Sequence, residues 1–295
     1  MKYLIKSKPI LKLLSKIVLI MVVCTSFSII AKAAESDSQI RTDTIKFKSG
    51  YVNVNGIRLF YKEAGEGKPI LFLHGGFGTG DDSFQYQFEK FSKKNRIITI
   101  DTRGHGKSEF DDKKFTYELF ANDTYDFLEA LDIDSVHLVG FSDGGITGTI
   151  LAGQHPEKIK KLVIIGTNSV SDTTALYPSA IEWVEELDIE QMVANLKSAF
   201  PEYPAPERLT EFVEKMQVLW LNEPNLTDSD LNKISCPVLI VAGDKDLIKI
   251  EHQVYLHRNI PNSSLLILPN TGHGAQAERQ DIVNQLISEM IEDEK

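Results

Sequence analysis

The stretch VHLVGFSDGGITGTILAG, Val136–Gly153, decides how the rest of the chain is read. Val136, Leu138 and Val139 form a short β-rich run, Gly140 follows, and Ile146, Ile150 and Leu151 then recur at helical spacing. That pattern predicts a strand, a sharp turn and a helix, with Ser142 at the apex of the turn. The spacing Gly140-x-Ser142-x-Gly144 suits a nucleophile elbow, in which flanking glycines let the backbone turn so tightly that the hydroxyl protrudes above a sheet. A glycine-rich strand-to-helix turn with an N-capping serine has the same pentapeptide. The choice between them falls to the residues on either side.

Upstream, Asn55-Gly56 stands between two alternating runs within Tyr51–Glu63, which predicts a hairpin with a primed two-residue turn. Pro69–Leu73 and Arg96–Ile100 read as buried strands, Ser83–Ser92 and Tyr117–Leu131 as helices. Downstream, Leu162–Ile165 is the next strand. Alternating strands and helices imply a parallel sheet covered on both faces. The alternation stops from Asn168 to Asn232, a stretch rich in acids and aromatics and broken by Pro178, Pro201, Pro204, Pro206 and Pro224. It reads as a helical cap inserted into the core. Strands at Pro237–Ala242 and Leu265–Leu268 and helices at Glu251–Arg258 and Asp281–Ile291 then close the chain.

The 295 residues, 42% hydrophobic and 25% charged, suffice for a large α/β core. The first 33 differ from the rest. Five lysines (2, 6, 8, 12 and 16) precede the apolar run Ile17–Ile30, and Ala31-Lys32-Ala33 supplies small residues for cleavage, so residues 1–33 read as a secretory signal peptide. The run has 14 residues, short of the roughly 20 a spanning helix needs, which makes a retained anchor the minor alternative. Val22 and Val23 precede Cys24 where a lipoprotein signal would want small residues, so no lipid anchor is expected. The expected organisation is a signal peptide at 1–33, a linker at 34–50, core at 51–168 and 233–295, and the cap at 169–232.

Removing residues 1–33 takes away six lysines and no acids, leaving 26 basic and 42 acidic residues, a net −16. Such a surface argues against nucleic acid and against stable association with anionic membranes, and suits cationic substrates. Only Cys236 remains, so no intramolecular disulfide is expected. The sequence has no zinc-like Cys/His spacing and no P-loop, so neither metal nor cofactor is expected. It leaves the oligomeric state open.

A serine nucleophile needs a base, and the base an orienting carboxylate, in the chain order Ser, acid, His for an elbow of this kind. Beyond the next strand the histidines are His252, His257 and His273. The first two fall in a predicted helix. His273 lies in Pro269-Asn-Thr-Gly-His-Gly274, a turn-rich loop directly after the last strand, where parallel sheets put their chemistry. The acid should follow the preceding strand, where Gly243-Asp244-Lys245-Asp246 offers two candidates. Asp246, farther out, is favoured over Asp244, which is placed for local turn bonds. An oxyanion needs two amide donors. Asp143, after the serine, supplies one; the loop His74-Gly75-Gly76-Phe77-Gly78 supplies the other, with Gly76 chosen and Phe77 next. His74 sits too early in the chain to be the base.

In this order, His74-Gly75-Gly76, Asp101–Ser108, Gly140–Gly144, Gly243–Asp246 and Gly272-His273 resemble the α/β-hydrolase superfamily across Tyr51–Ile291. The resemblance implies a mostly parallel eight-stranded sheet with helices on both faces, an inserted helical cap, and a structural role for Asp101, Arg103 and His105. Gly-Phe-Ser-Asp-Gly-Gly-Ile-Thr (140–147), His155-Pro156 and Ile164–Asn168 are most similar to the biphenyl-hydrolase-like branch that includes valacyclovir hydrolase, an α-amino-acid esterase. A serine at 142 disfavours the dehalogenase and epoxide-hydrolase relatives, which use aspartate. The expectation is a secreted serine hydrolase of small carboxylic esters, α-amino-acid esters among them. The rivals are a non-catalytic small-molecule receptor on the same fold, and an aminopeptidase or C–C hydrolase. Phe77, Trp183, Trp220 and the Asp143 side chain are candidate substrate contacts, with Phe200 and Tyr203 as further cap aromatics. The competing expectation is that the aromatics only hold the cap together, and that Asp143 only complements its helix dipole.

Overall fold

Successive residues of the central strands enter two separate cores. Leu71, Leu73, Ile98, Ile100, Leu138, Leu162, Ile164 and Ile240 pack on one face of the sheet, whereas Ile70, Phe72, Ile97, Val139, Val163, Ile165 and Val241 pack on the other. Period-two alternation with both sets apolar is what a sheet buried on both sides requires. The structure is a computed structural model and describes residues 45–292. The predicted signal peptide, Cys24 and most of the predicted linker lie outside the described residues.

Eight strands form one sheet in the order β1-β2-β4-β3-β5-β6-β7-β8. β1 (Lys48–Val54) and β2 (Ile57–Ala64) are the predicted hairpin, with Val54 opposite Ile57 and positive φ at both Asn55 (43°) and Gly56 (85°), as a primed turn demands. β2 meets β4 (Asn95–Ile100) antiparallel. The remaining pairs, among β3 (Lys68–Leu73), β4, β5 (Val136–Phe141), β6 (Ile159–Ile165), β7 (Val238–Gly243) and β8 (Ser263–Leu268), are parallel. β1 begins at Lys48, inside the segment expected to be linker.

Helices α1 (Gly80–Phe91), α2 (Tyr117–Ala130) and α3 (Asp143–Gln154) follow β3, β4 and β5. Phe84, Phe88 and Phe91 of α1 join one core; Ala121, Phe127 and Leu128 of α2 and Leu151 and Ala152 of α3 join the other. Between β6 and β7 lie α4 (Pro178–Glu185), α5 (Ile189–Ala199), α6 (Leu209–Asn222) and the short α7 (Asp228–Leu231). α8 (Ile250–Asn259) links β7 to β8, and α9 (Ala275–Glu278) and α10 (Gln280–Glu292) end the described chain.

The inserted helices share a third core with the main body. Leu196 of α5 and Leu209, Phe212, Val213, Met216 and Leu219 of α6 pack with Phe77, Phe110, Phe115, Tyr117, Phe120 and Ile146. Phe212 is central: its ring contacts those of Phe77, His105, Phe110, Phe115 and Tyr203 at 4.9–6.2 Å. Polar bonds tie down the same helices. Tyr203 donates to the Gly104 carbonyl at 2.8 Å, and Lys215 donates to the carbonyls of Asp112 and Lys113.

Candidate active site

The glycines around Ser142 are dictated by close approach. A Cβ on Gly140 would lie 2.4 Å from the Gly144 carbonyl oxygen, and one on Gly144 would lie 2.0 Å from that of Leu73. With no side chains there, β5 can run straight into α3 beside β3, and Ser142 is left at φ 52°, ψ −119°, a conformation L-residues rarely adopt. Its side chain makes no capping bond to α3, so the N-cap reading of the pentapeptide fails.

The structure brings Ser142 together with both distant partners named from sequence. Ser142 Oγ lies 3.0 Å from His273 Nε2, and His273 Nδ1 lies 2.7 Å from Asp246 Oδ1. Asp246 is buried at the end of β7 and also accepts the Ile248 amide at 3.1 Å. His273 sits in the loop after β8. Burial works against its charged form, but the charge and hydrogen bond of Asp246, with smaller contributions from Asp143 and Glu278, outweigh that and hold its pKa above the ordinary 6.5.

Asp244 does more than the local turn bonding expected of it. It accepts the Thr271 amide at 3.1 Å, across 27 residues, and so pins the His273 loop. Glu278 accepts the Gly272 amide at 2.9 Å, and Arg279 binds the Pro269 carbonyl at 2.9 Å. Sequence reasoning named neither; both follow the loop on or beside α9, a helix too short to leave a periodic signal.

The other histidines are structural. His74 is buried, donates from Nδ1 to the Gly75 carbonyl and accepts the Thr102 amide at Nε2, and burial pushes its pKa down to about 4. His252 accepts the Ser169 amide at 3.0 Å, and burial holds it at about 4 as well. His257 pairs with Ser263. In the 101–108 turn, Arg103 is fully buried against Asp123 at 2.6 Å, and the Asp101 carboxylate accepts the Lys107 amide.

Asp143 starts α3, so its amide has no acceptor within the helix. Its carboxylate does not cap the helix. Oδ1 accepts from the Tyr117 hydroxyl at 2.8 Å and Oδ2 from the Trp220 indole N–H at 2.9 Å. Burial raises its pKa, opposed by those two bonds and by His273. Gly76 faces this group: a Cβ there would lie 2.8 Å from Asp143 Oδ2. Phe77 is buried, with its ring 4.8 Å from Trp220. Trp183 stands one layer back, its ring 5.9 Å from Trp220. Tyr117 was missed from sequence because it reads as one more apolar position of α2. Among the described residues no three His, Cys, Asp or Glu side chains converge as a metal site would.

This sheet order, with a serine on a strained β5–α3 turn and an Asp–His pair on the loops after β7 and β8, defines an α/β hydrolase. A family model described as alpha/beta hydrolase fold matches residues 68–195. The chain is 31% identical over 252 residues to the human serine hydrolase BPHL, covering 83% of this chain and 86% of the human protein, and it belongs to the α/β-hydrolase family. A 2-hydroxy-6-oxononadienedioate/2-hydroxy-6-oxononatrienedioate hydrolase of Comamonas testosteroni is 27% identical over 277 residues, 82% of this chain and 96% of that one. A solved structure described as an N-acyl homoserine lactone degrading enzyme is 26% identical, with a TM-score of 0.65 over 81% of this chain and 99% of that one. These relatives differ in what they act on, and hydrolysis is the ground they share.

Proposed function

We propose that the protein is a serine hydrolase of small carboxylic esters that works through Ser142, His273 and Asp246 and an acyl-enzyme. The observation that carries this reading is the unbroken chain Ser142 Oγ to His273 Nε2, 3.0 Å, and His273 Nδ1 to Asp246 Oδ1, 2.7 Å. Ser142 Oγ attacks the ester carbonyl and gives its proton to His273 Nε2; the oxyanion is held by the amides of Gly76 and Asp143. His273 then protonates the leaving alcohol. Water deacylates Ser142 by the same route, and Asp246 orients the ring and stabilises the imidazolium.

α-Amino-acid esters are the substrate subclass we favour. Asp143 places a carboxylate beside the nucleophile and against the Gly76 loop, the whole chain carries a formal net charge of −10, and a serine hydrolase BPHL is among its relatives. Export from the cytoplasm, with residues 1–33 as a cleaved signal, belongs to the same proposal and rests on the sequence pattern alone.

The test is fluorophosphonate labelling of the purified protein followed by steady-state turnover of p-nitrophenyl acetate and butyrate. Labelling and turnover that both vanish in Ser142→Ala are expected. Labelling without turnover would favour the receptor alternative instead.

A further inference from the structure

One side chain of the inserted helices touches both residues whose amides form the proposed oxyanion hole. Trp220, in the last turn of α6, donates its indole N–H to Asp143 Oδ2 at 2.9 Å. Beside that N–H the ring covers Gly76 so closely that a Cβ there would lie 2.4 Å from Trp220 Cζ2. The same ring meets Phe77 edge-on, with centroids 4.8 Å apart and planes at 74°.

The loop beneath is one that needs holding. The Gly78 amide closes a turn onto the Gly75 carbonyl at 3.2 Å, and Phe77 sits third in that turn at φ 57°. A bulky residue in the left-handed region is disfavoured by about 1–2 kcal/mol and persists only where its surroundings over-determine it. Here they do: the Phe77 ring is buried between Phe212, at 5.8 Å, and Trp220. The end of α6 is itself anchored on α2, and α2 in turn on Asp143. The Tyr117 hydroxyl binds the Asp143 oxygen that Trp220 leaves, and the Tyr117 amide donates to Glu223 Oε2 at 3.0 Å.

We infer that Trp220 is a positioning residue of the oxyanion hole, setting the Gly76 amide against the Asp143 amide and making catalytic competence depend on the docking of α6. The inference rests on the serine-hydrolase reading above. It assigns Trp220 a task distinct from substrate contact and from gluing the inserted helices to the core. A residue that only glued would lower melting temperature and scale all functions together. A positioning residue weakens binding of the transition state while leaving ground-state binding alone.

The experiment uses Trp220→Phe, which keeps the ring on Phe77 but removes the N–H, and Trp220→Ala, with Leu219→Ala on the same helix as a control for lost packing. Each is measured for kcat and KM on p-nitrophenyl butyrate, for inhibition by a trifluoromethyl ketone, which forms an oxyanion on Ser142, and by butyrate, which does not. Displacing donors by a fraction of an ångström to an ångström costs up to about 100-fold. The expectation is therefore a loss in kcat of about tenfold for Trp220→Phe and about 100-fold for Trp220→Ala. KM and butyrate inhibition should stay within about twofold, and the ketone should weaken in step with kcat. Leu219→Ala should lower the melting temperature without separating the ketone from butyrate. A Trp220→Phe enzyme with kcat and ketone affinity within twofold of an active wild type would overturn the inference alone. A wild type that turns over no ester would remove the hydrolase reading, and this one with it.

Discussion

The carboxylate of Asp244 accepts the backbone amide of Thr271 at 3.1 Å, so the aspartate that does not face His273 fixes the loop that carries it. Two acids two positions apart in the sequence thus divide the work. Asp246 is buried and bonds the imidazole; Asp244 is exposed and braces the backbone.

That division predicts unequal effects of two isosteric changes. Asp246→Asn removes the charge facing the imidazolium and permits the wrong tautomer, and should lower kcat by about 10³–10⁴-fold. Asp244→Asn keeps an oxygen able to accept the Thr271 amide and should cost less than about tenfold, with a lower melting temperature as its main effect. Kinetics on one ester decide it. A larger loss from Asp244→Asn would reverse the assignment of the acid.

The pH profile follows from the direction of the His273 shift. Only the neutral imidazole can take the serine proton, and Asp246 holds its pKa above the ordinary 6.5. The acid limb of kcat/KM should accordingly rise with a midpoint above 6.5, and in Asp246→Asn the residual activity should rise at lower pH than in the wild type. A midpoint that does not move when Asp246 is neutralised would mean that another group titrates in that limb.

The proposed trio was readable because each member sits in a short loop directly after a strand, bracketed by residues whose backbone demands are local: Gly140 and Gly144 around Ser142, Gly243 before Asp246, Gly272 before His273. The central strands themselves were readable as short continuous apolar runs, buried on both faces. The neighbourhood of Asp143 was not. Tyr117 and Trp220 stand 26 and 77 residues away, and their meeting at one carboxylate depends on how α6 docks, which no periodicity records. β1 was placed late for a related reason: Lys48 and Ser49 are exposed on an edge strand and show no apolar pattern.

The substrate reading makes Asp143 decisive in a way that separates charge from shape. An α-ammonium about 4 Å from its carboxylate would gain on the order of 1–4 kcal/mol, the range between bulk water and an effective surface dielectric. The wild type should then prefer an aminoacyl ester to its N-acetylated counterpart by about ten- to a thousandfold in kcat/KM. Asp143→Asn, which keeps the shape and the backbone amide, should abolish the preference, whereas Trp220→Phe should lower both rates and keep their ratio. An equal preference in Asp143→Asn would remove the carboxylate from substrate recognition.

The strained turn at Ser142 predicts unequal stabilities for two variants that lack the hydroxyl. At φ 52° and ψ −119° the Cβ of any L-residue is crowded, at a cost of order 1–3 kcal/mol, and glycine is free of it. Against this stands the greater freedom of glycine in the unfolded chain, worth about 0.5–1 kcal/mol. The strain term is the largest, so Ser142→Gly should be more stable than Ser142→Ala by about 1 kcal/mol, or roughly 2–4 °C in melting temperature for a domain of this size. Both variants lack the hydroxyl that bonds His273, so that lost contact cancels in the comparison and the difference reports the backbone alone. Urea unfolding of the two proteins measures it directly. If Ser142→Ala proves as stable as Ser142→Gly, the turn stores no strain, and the close packing of Gly140 and Gly144 alone accounts for the elbow.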